Sequence, residues 1–215
     1  LNKSVTSALS EAADINSVIA LVSSLERKET RLGRSSYVVT SKGAEVKTAF
    51  KVVDASSLII SNNLDGMINP AFPEELQPRD RTRLSSKLQV NRIASNLRPA
   101  QLTDSGMSSH GAPIVGPDNV VESGNGRSMG IWRAYEQGQA DEYRQYLIDH
   151  AKEFGLNPDE ISQMSMPVLV RERLTDVDRA QFARDSNISD LQELTSSPTF
   201  ALRDSGGGFP LVGDG

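Results

Sequence analysis

The sequence predicts an α+β domain, and three observations carry that prediction. Segments with apolar residues at alternate positions are interspersed with segments whose apolar residues follow a helical repeat, the signatures of half-buried strands and amphipathic helices. Two short β-branched runs, APIV and VVES, are separated by GPDN, which reads as an antiparallel hairpin. That hairpin leads into a glycine loop where a dinucleotide-binding fold would instead need a parallel strand–helix–strand crossover.

Taken in chain order, Val5, Leu9, Ala12, Ile15, Ile19, Val22 and Leu25 lie on one stripe, so an amphipathic helix is expected over residues 5–26. Packing on the core is its plain role; binding a partner or a second copy is the other. RLGRSS breaks the pattern, and YVV at 37–39 and EVKTAFKVV at 45–53 then read as strands. The stretch SNNLDGMINPAFPEELQPR contains Asn69-Pro70, Phe72-Pro73 and Gln77-Pro78. Each X-Pro bond forces extended backbone before it, which predicts a rigid irregular loop.

Residues 80–97 follow as a helix with Leu84, Leu88, Ile93 and Leu97 inward. Beyond the hairpin a helix is expected from Ser128 to Gln137, stopped by Gly138. The next helix carries Tyr143, Tyr146, Leu147, Ala151 and Phe154 on one face and closes at Gly155. Asn157-Pro158-Asp159-Glu160 opens a short helix, with proline at its first position. PVLVRER reads as a strand, residues 176–187 as a helix, and the SGGG run as a linker. The expected organisation is a helical appendage over residues 1–35, a domain over 36–200 and a flexible tail over 201–215. Leu1 at the start and the glycine-rich end suggest a piece of a longer polypeptide.

Composition narrows the chemistry. The chain has 28 acidic and 23 basic residues, so non-specific coating of nucleic acid is not expected and any such role needs a local basic patch. Such a patch exists: Arg79, Arg81, Arg83, Lys87, Arg92 and Arg98 are opposed in that span by Asp80 alone. A solvated helix face explains a charge run equally well. The absence of cysteine excludes disulfides, zinc–thiolate sites and thiol catalysis, and fits a cytoplasmic setting. No apolar run approaches the length of a membrane span.

The stretch VVESGNGRSMG, residues 120–130, holds the main candidate site. It fails the dinucleotide fingerprint, because Gly130 comes one residue late, and it lacks the lysine of a P-loop. The physical requirements for an anion site remain. Gly124 and Gly126 are able to take left-handed backbone, Ser128 stands where a helix is expected to begin, and Arg127 offers a planar fork for phosphate oxygens. A plain turn satisfies the same pattern. The helix end supplies about 0.3–1 kcal/mol to an anion, against an association cost on the order of 4–15 kcal/mol. A nucleotide therefore needs further donors, and the basic segment opened by Gln77-Pro78-Arg79 is the natural source. His110 and His150 are expected to be structural, as are Trp132 and Tyr135.

The order and wording of NPAFPEELQPRDR, GAPIVG, VVESGNGR and PVLVRERLTDVDRAQFARDSNIS resemble the DdrB-like ParB domains of phage and mobile-element proteins, within the ParB/sulfiredoxin superfamily. The resemblance spans roughly residues 45–195. It implies a small mixed sheet flanked by helices, to which this chain would add its N-terminal amphipathic helix. It also implies a nucleoside triphosphate, CTP or ATP, held by Gln77, Pro78 and Arg79, by Gly124, Asn125, Gly126, Arg127 and Ser128, and by Asn187. Gln77 and Arg79 would act in any hydrolysis, and Asn187 would help to hold Mg2+. Where ParB proteins carry Glu in the glycine turn and Glu before the later Asn, this chain has Asn125 and Ser186. The change favours binding over hydrolysis, with Glu122 or Asp185 as the acids left to replace them. The sulfiredoxin reaction needs a cysteine and is excluded.

The expectation is thus a nucleotide-binding module of a larger DNA-associated phage or plasmid protein, in the bacterial host cytoplasm, without membrane contact. Homodimerisation through the N-terminal helix is part of that expectation. The alternatives are an interaction domain that kept the fold without the ligand, and a metal-dependent nuclease.

Overall fold

The computed structural model describes Ile15, residues 27–77 and residues 83–187. The amphipathic helix expected over residues 5–26 and the expected tail lie outside the described residues, Ile15 apart.

A five-stranded sheet in the order β1-β2-β5-β3-β4 organises the domain. The long strand β2 (Glu45–Asp54) pairs antiparallel with β1 (Ser35–Val39) on one side and with β5 (Pro167–Arg173) on the other. Its residues 48–54 are all buried, as expected for a strand with neighbours on both sides and cover on both faces. β3 (Ile114–Val115) runs parallel to β5 and antiparallel to β4 (Val121–Ser123), which makes the sheet mixed. GPDN closes the β3–β4 hairpin as expected. Asn119 takes the left-handed conformation at φ 63°, and the Asn119 N–H donates to the Gly116 carbonyl at 3.0 Å.

Residues 27–34 belong to the sheet side of the molecule rather than to an appendage. Thr30 N–H donates to the Val52 carbonyl at 2.8 Å, Gly33 N–H to that of Phe50 at 2.7 Å, and Arg27 pairs with Glu160 at 2.9 Å. The expected break at residue 35 is therefore not a structural boundary. The polar stretch after β2 is irregular, as its prolines require, with one short 3-10 turn at Glu74–Leu76.

Helix α1 (Arg83–Ser95) and helix α2 (Asn125–Glu136) pack on each other; α3 (Asp141–Asp149) and the short α4 (Pro158–Ser162) follow. The Asn157 side chain caps α4 by accepting from Asp159 N–H at 3.0 Å, with Pro158 at the first position. Helix α5 (Arg179–Asn187) starts later than expected, because Asp178 accepts from Gln181 N–H through its side chain and from Phe182 N–H through its carbonyl. The main core joins Phe50, Val52, Ile131, Tyr143, Leu147 and Leu169, while Phe182 of α5 closes a smaller cluster with Val38, Val46 and Ile114. Among the described residues, no helix is long and apolar enough to cross a membrane.

The α1–α2 contact depends on Gly130. A Cβ there would stand 2.7 Å from the Ile93 Cβ and meet its methyl group as well. Gly130→Ala is expected to destabilise the domain by about 1–3 kcal/mol, the usual cost of overpacking. Thermal melting checks this, and an unchanged melting temperature would mean that α1 moves freely on α2.

Candidate functional site

Strand β4 ends at Ser123, and the chain then turns once, at Gly124, whose φ of 94° is left-handed. Helix α2 begins at Asn125, three residues before the sequence suggests. The freedom expected of two glycines is used by one: Gly126 is buried in the first helical turn without positive φ. As the cap of α2, Gly124 has no side-chain oxygen, and no side-chain cap bond serves the first-turn N–H groups. Ser128 lies one turn inside the helix. It is fully buried, and its hydroxyl donates back to the Gly124 carbonyl at 2.8 Å, fixing the turn from below.

Arg127 leaves the same turn. Its Nη1 donates to the Gly111 carbonyl at 2.5 Å and its Nη2 to Ser123 Oγ at 3.3 Å. The guanidinium borders a cleft of about 610 Å³. Its lining comes from the turn itself, at Gly124 and Gly126, from the end of α1 and the segment after it with Arg98, and from a floor that includes Asp104, Ser105 and residues 109–111. The expected basic segment thus reaches the glycine turn through Arg98. The rest of the cleft, including His110, was missed by sequence reasoning.

Beneath residues 105–112 lies Arg171, wholly buried on β5. Its side chain donates to the Ser105 carbonyl at 2.9 Å, to the Ala112 carbonyl at 2.9 and 2.7 Å, and to that of His110. Burial, with Arg127 nearby, pushes its pKa down to about 9. At neutral pH it therefore remains charged. Main-chain carbonyls meet its hydrogen-bonding need without neutralising it, and Asp104 offsets the charge only in part. The cleft is bordered by Arg98 and Arg127, and it has a third cation behind its floor.

The remaining predicted residues gather on the other side of the turn. Asn125 Oδ1 accepts from Ser61 N–H at 2.8 Å, and Gln77 Nε2 donates to the Ser61 carbonyl at 3.3 Å, so both meet at Ser61. Asn187 Nδ2 donates to the carbonyls of Glu122 at 3.0 Å and Ala183 at 2.5 Å, which ties α5 to β4. Neither Gln77 nor Asn187 lines the Arg127 cleft. Pro78 and Arg79 lie outside the described residues. The hydroxyls of Ser61, Ser108 and Ser186 are buried without a hydrogen-bond partner. Ser61 N–H donates to Asn125, the Ser108 carbonyl accepts from Ser123 Oγ at 2.8 Å, and Ser186 precedes Asn187; none of the three serines lines the cleft. Buried polar groups left without partners are uncommon in folded proteins.

The acids are otherwise engaged. Glu122 is fully buried: Oε1 accepts from Arg173 Nε at 2.7 Å, and Oε2 from Arg173 Nη2 at 3.1 Å and Arg179 Nε at 2.8 Å. Asp118 is held by Arg179, whose hydrogen bond keeps its carboxyl below the usual range. Asp104 borders the cleft, but Oδ1 accepts from Ser36 Oγ at 2.9 Å and Oδ2 from Arg34 at 3.2 Å. Asp185 accepts from Gln181 Nε2 at 2.9 Å and does not line the cleft. No group of three or more His, Asp or Glu able to hold a metal occurs among the described residues. Mg2+ is held by one or two carboxylates beside phosphate oxygens, and among the described residues Asp104 is the carboxylate that lines the cleft.

A family model described as the ddrB-like ParB superfamily domain matches residues 41–174, which include the whole Gly124 turn, its cleft and Arg171. No curated protein and no solved structure matches the chain.

Proposed function

The chain belongs to the ddrB-like ParB superfamily, and on that premise we propose that it is a nucleoside-triphosphate-binding module of a larger DNA-associated protein. The observation that carries the reading is the Arg127 cleft. A helix start without a side-chain cap, a left-handed glycine and two bordering arginines share one opening of about 610 Å³, within the usual range for small-ligand sites. A cleft lined by two arginines and one acid, in a chain that is acidic as a whole, suits a polyphosphate better than a neutral ligand.

The reading is one of binding. Gln77, expected to act in any hydrolysis, already donates its amide to the Ser61 carbonyl. Glu122, which with Asp185 was an acid left for catalysis, has both oxygens occupied by arginine. The acidic balance leaves contact with DNA to the parent protein.

Calorimetric titration with CTP, ATP and GTP tests the proposal, with thermal shift alongside. Saturating ligand is expected to stabilise the fold by about 2.7 kcal/mol at a hundredfold excess over Kd, or about 5–11 °C at this size. No heat and no shift with any of the three would overturn it and leave the interaction-domain reading in its place.

A further inference from the structure

We infer that this cleft takes its polyphosphate without a divalent metal, guanidinium groups neutralising the charge that Mg2+ would otherwise carry. The inference rests on the binding reading above and deepens it.

The observation behind it is the disposition of charge around the Gly124 turn. The side chains that face the cleft include Arg98 and Arg127 against a single acid, Asp104. Asp104 has one oxygen on Ser36 and the other on Arg34, so using it as a metal ligand would compete with an existing ion pair. Glu122, two residues before the turn, is closed off by Arg173 and Arg179. Asp118, on the same hairpin, is held by Arg179. Directly after the turn stands Asn125, whose side-chain oxygen accepts from Ser61 N–H. At the start of α2, then, the polar side chains are amides and hydroxyls, and the fixed charges next to them are cations.

A metal ion placed there would stand among positive charges, and Asp104, the carboxylate that lines the cleft, is already engaged with Arg34 and Ser36. A polyphosphate alone meets the opposite situation. Arg98 and Arg127 border the space it would fill, and Arg171 stands behind the floor, held by carbonyls of the same loop that Arg127 grips through Gly111. Arginine suits this arrangement because its planar fork matches two phosphate oxygens and it stays charged.

The test is calorimetric titration of the full chain with CTP and with ATP, once with MgCl2 and once with EDTA, at matched ionic strength. Equal affinity within about twofold is expected, a free-energy difference too small to reflect a lost metal bridge. Inorganic tripolyphosphate, without base or metal, is expected to compete for the same site. A loss of about tenfold or more in EDTA would overturn the inference while leaving the nucleotide reading intact. Binding by neither nucleotide in either buffer would overturn both, so the two failures are distinguishable.

Discussion

Arg127→Ala is expected to weaken nucleotide binding by about 10- to 100-fold, because hydrogen bonds to charged groups contribute about 1.5–3 kcal/mol each. Two roles converge in this side chain. It presents a guanidinium to the cleft, and through Gly111 it fixes the loop that forms the floor. Alanine removes both, so the loss alone does not separate charge from position. Arg127→Lys does: it restores the charge but not the two-pronged geometry. Affinity recovered to within a few-fold by lysine would assign the effect to charge. Affinity still low, with the melting temperature of the parent chain, would assign it to the fork. Calorimetry of both variants at two salt concentrations checks this. Full affinity in the alanine variant would remove the cleft from consideration.

Much of this arrangement was legible in the sequence wherever local chemistry decides the outcome. PVLVRER became β5 from Pro167 to Arg173, and GPDN closed the β3–β4 hairpin. Gly138 and Gly155 both stand in left-handed backbone where helices end. The contiguous turn at residues 124–128 was found because glycine, arginine and a following helix announce it together. The start of α2 was misread for a tertiary reason. Asn125 and Gly126 look like loop residues, but the Asn125 side chain is spent on Ser61, 64 positions away, and the helix begins beneath it.

Arg171 and Glu122 were illegible for a related reason. On paper Arg171 is a polar residue that follows the apolar run of β5, a position that ordinarily points to water. The parallel register that sets Ile114 opposite Arg171 places it under residues 105–112, where carbonyls rather than solvent receive its donors. Glu122 in VVES reads as the outward position of a hairpin. Two arginines from β5 and α5, more than fifty residues further on, cover it. No spacing rule connects these partners.

Glu122 also carries the largest expected effect on stability. Its carboxylate joins Arg173 of β5 to Arg179 of α5, and its main-chain carbonyl accepts from Asn187 at the far end of α5. Glu122→Ala would leave two guanidinium groups facing each other, with Arg173 only 11% exposed. Removing one member of a buried pair costs about 3–5 kcal/mol, because the uncompensated charge stays behind. At this chain length each kcal/mol lowers Tm by about 2–4 °C, so a fall of at least several degrees is expected. Glu122→Gln should fall nearly as far, since its amide nitrogen would point a donor at another donor. Adding Arg173→Met to Glu122→Ala should recover part of the loss, because it removes the stranded charge together with its partner. That recovery separates an ion network from a simple packing defect. If Glu122→Ala instead melts with the parent chain, the carboxylate is not spent on the fold. The nuclease alternative would then have an acid available, and nicking of plasmid DNA by the two proteins would decide between them.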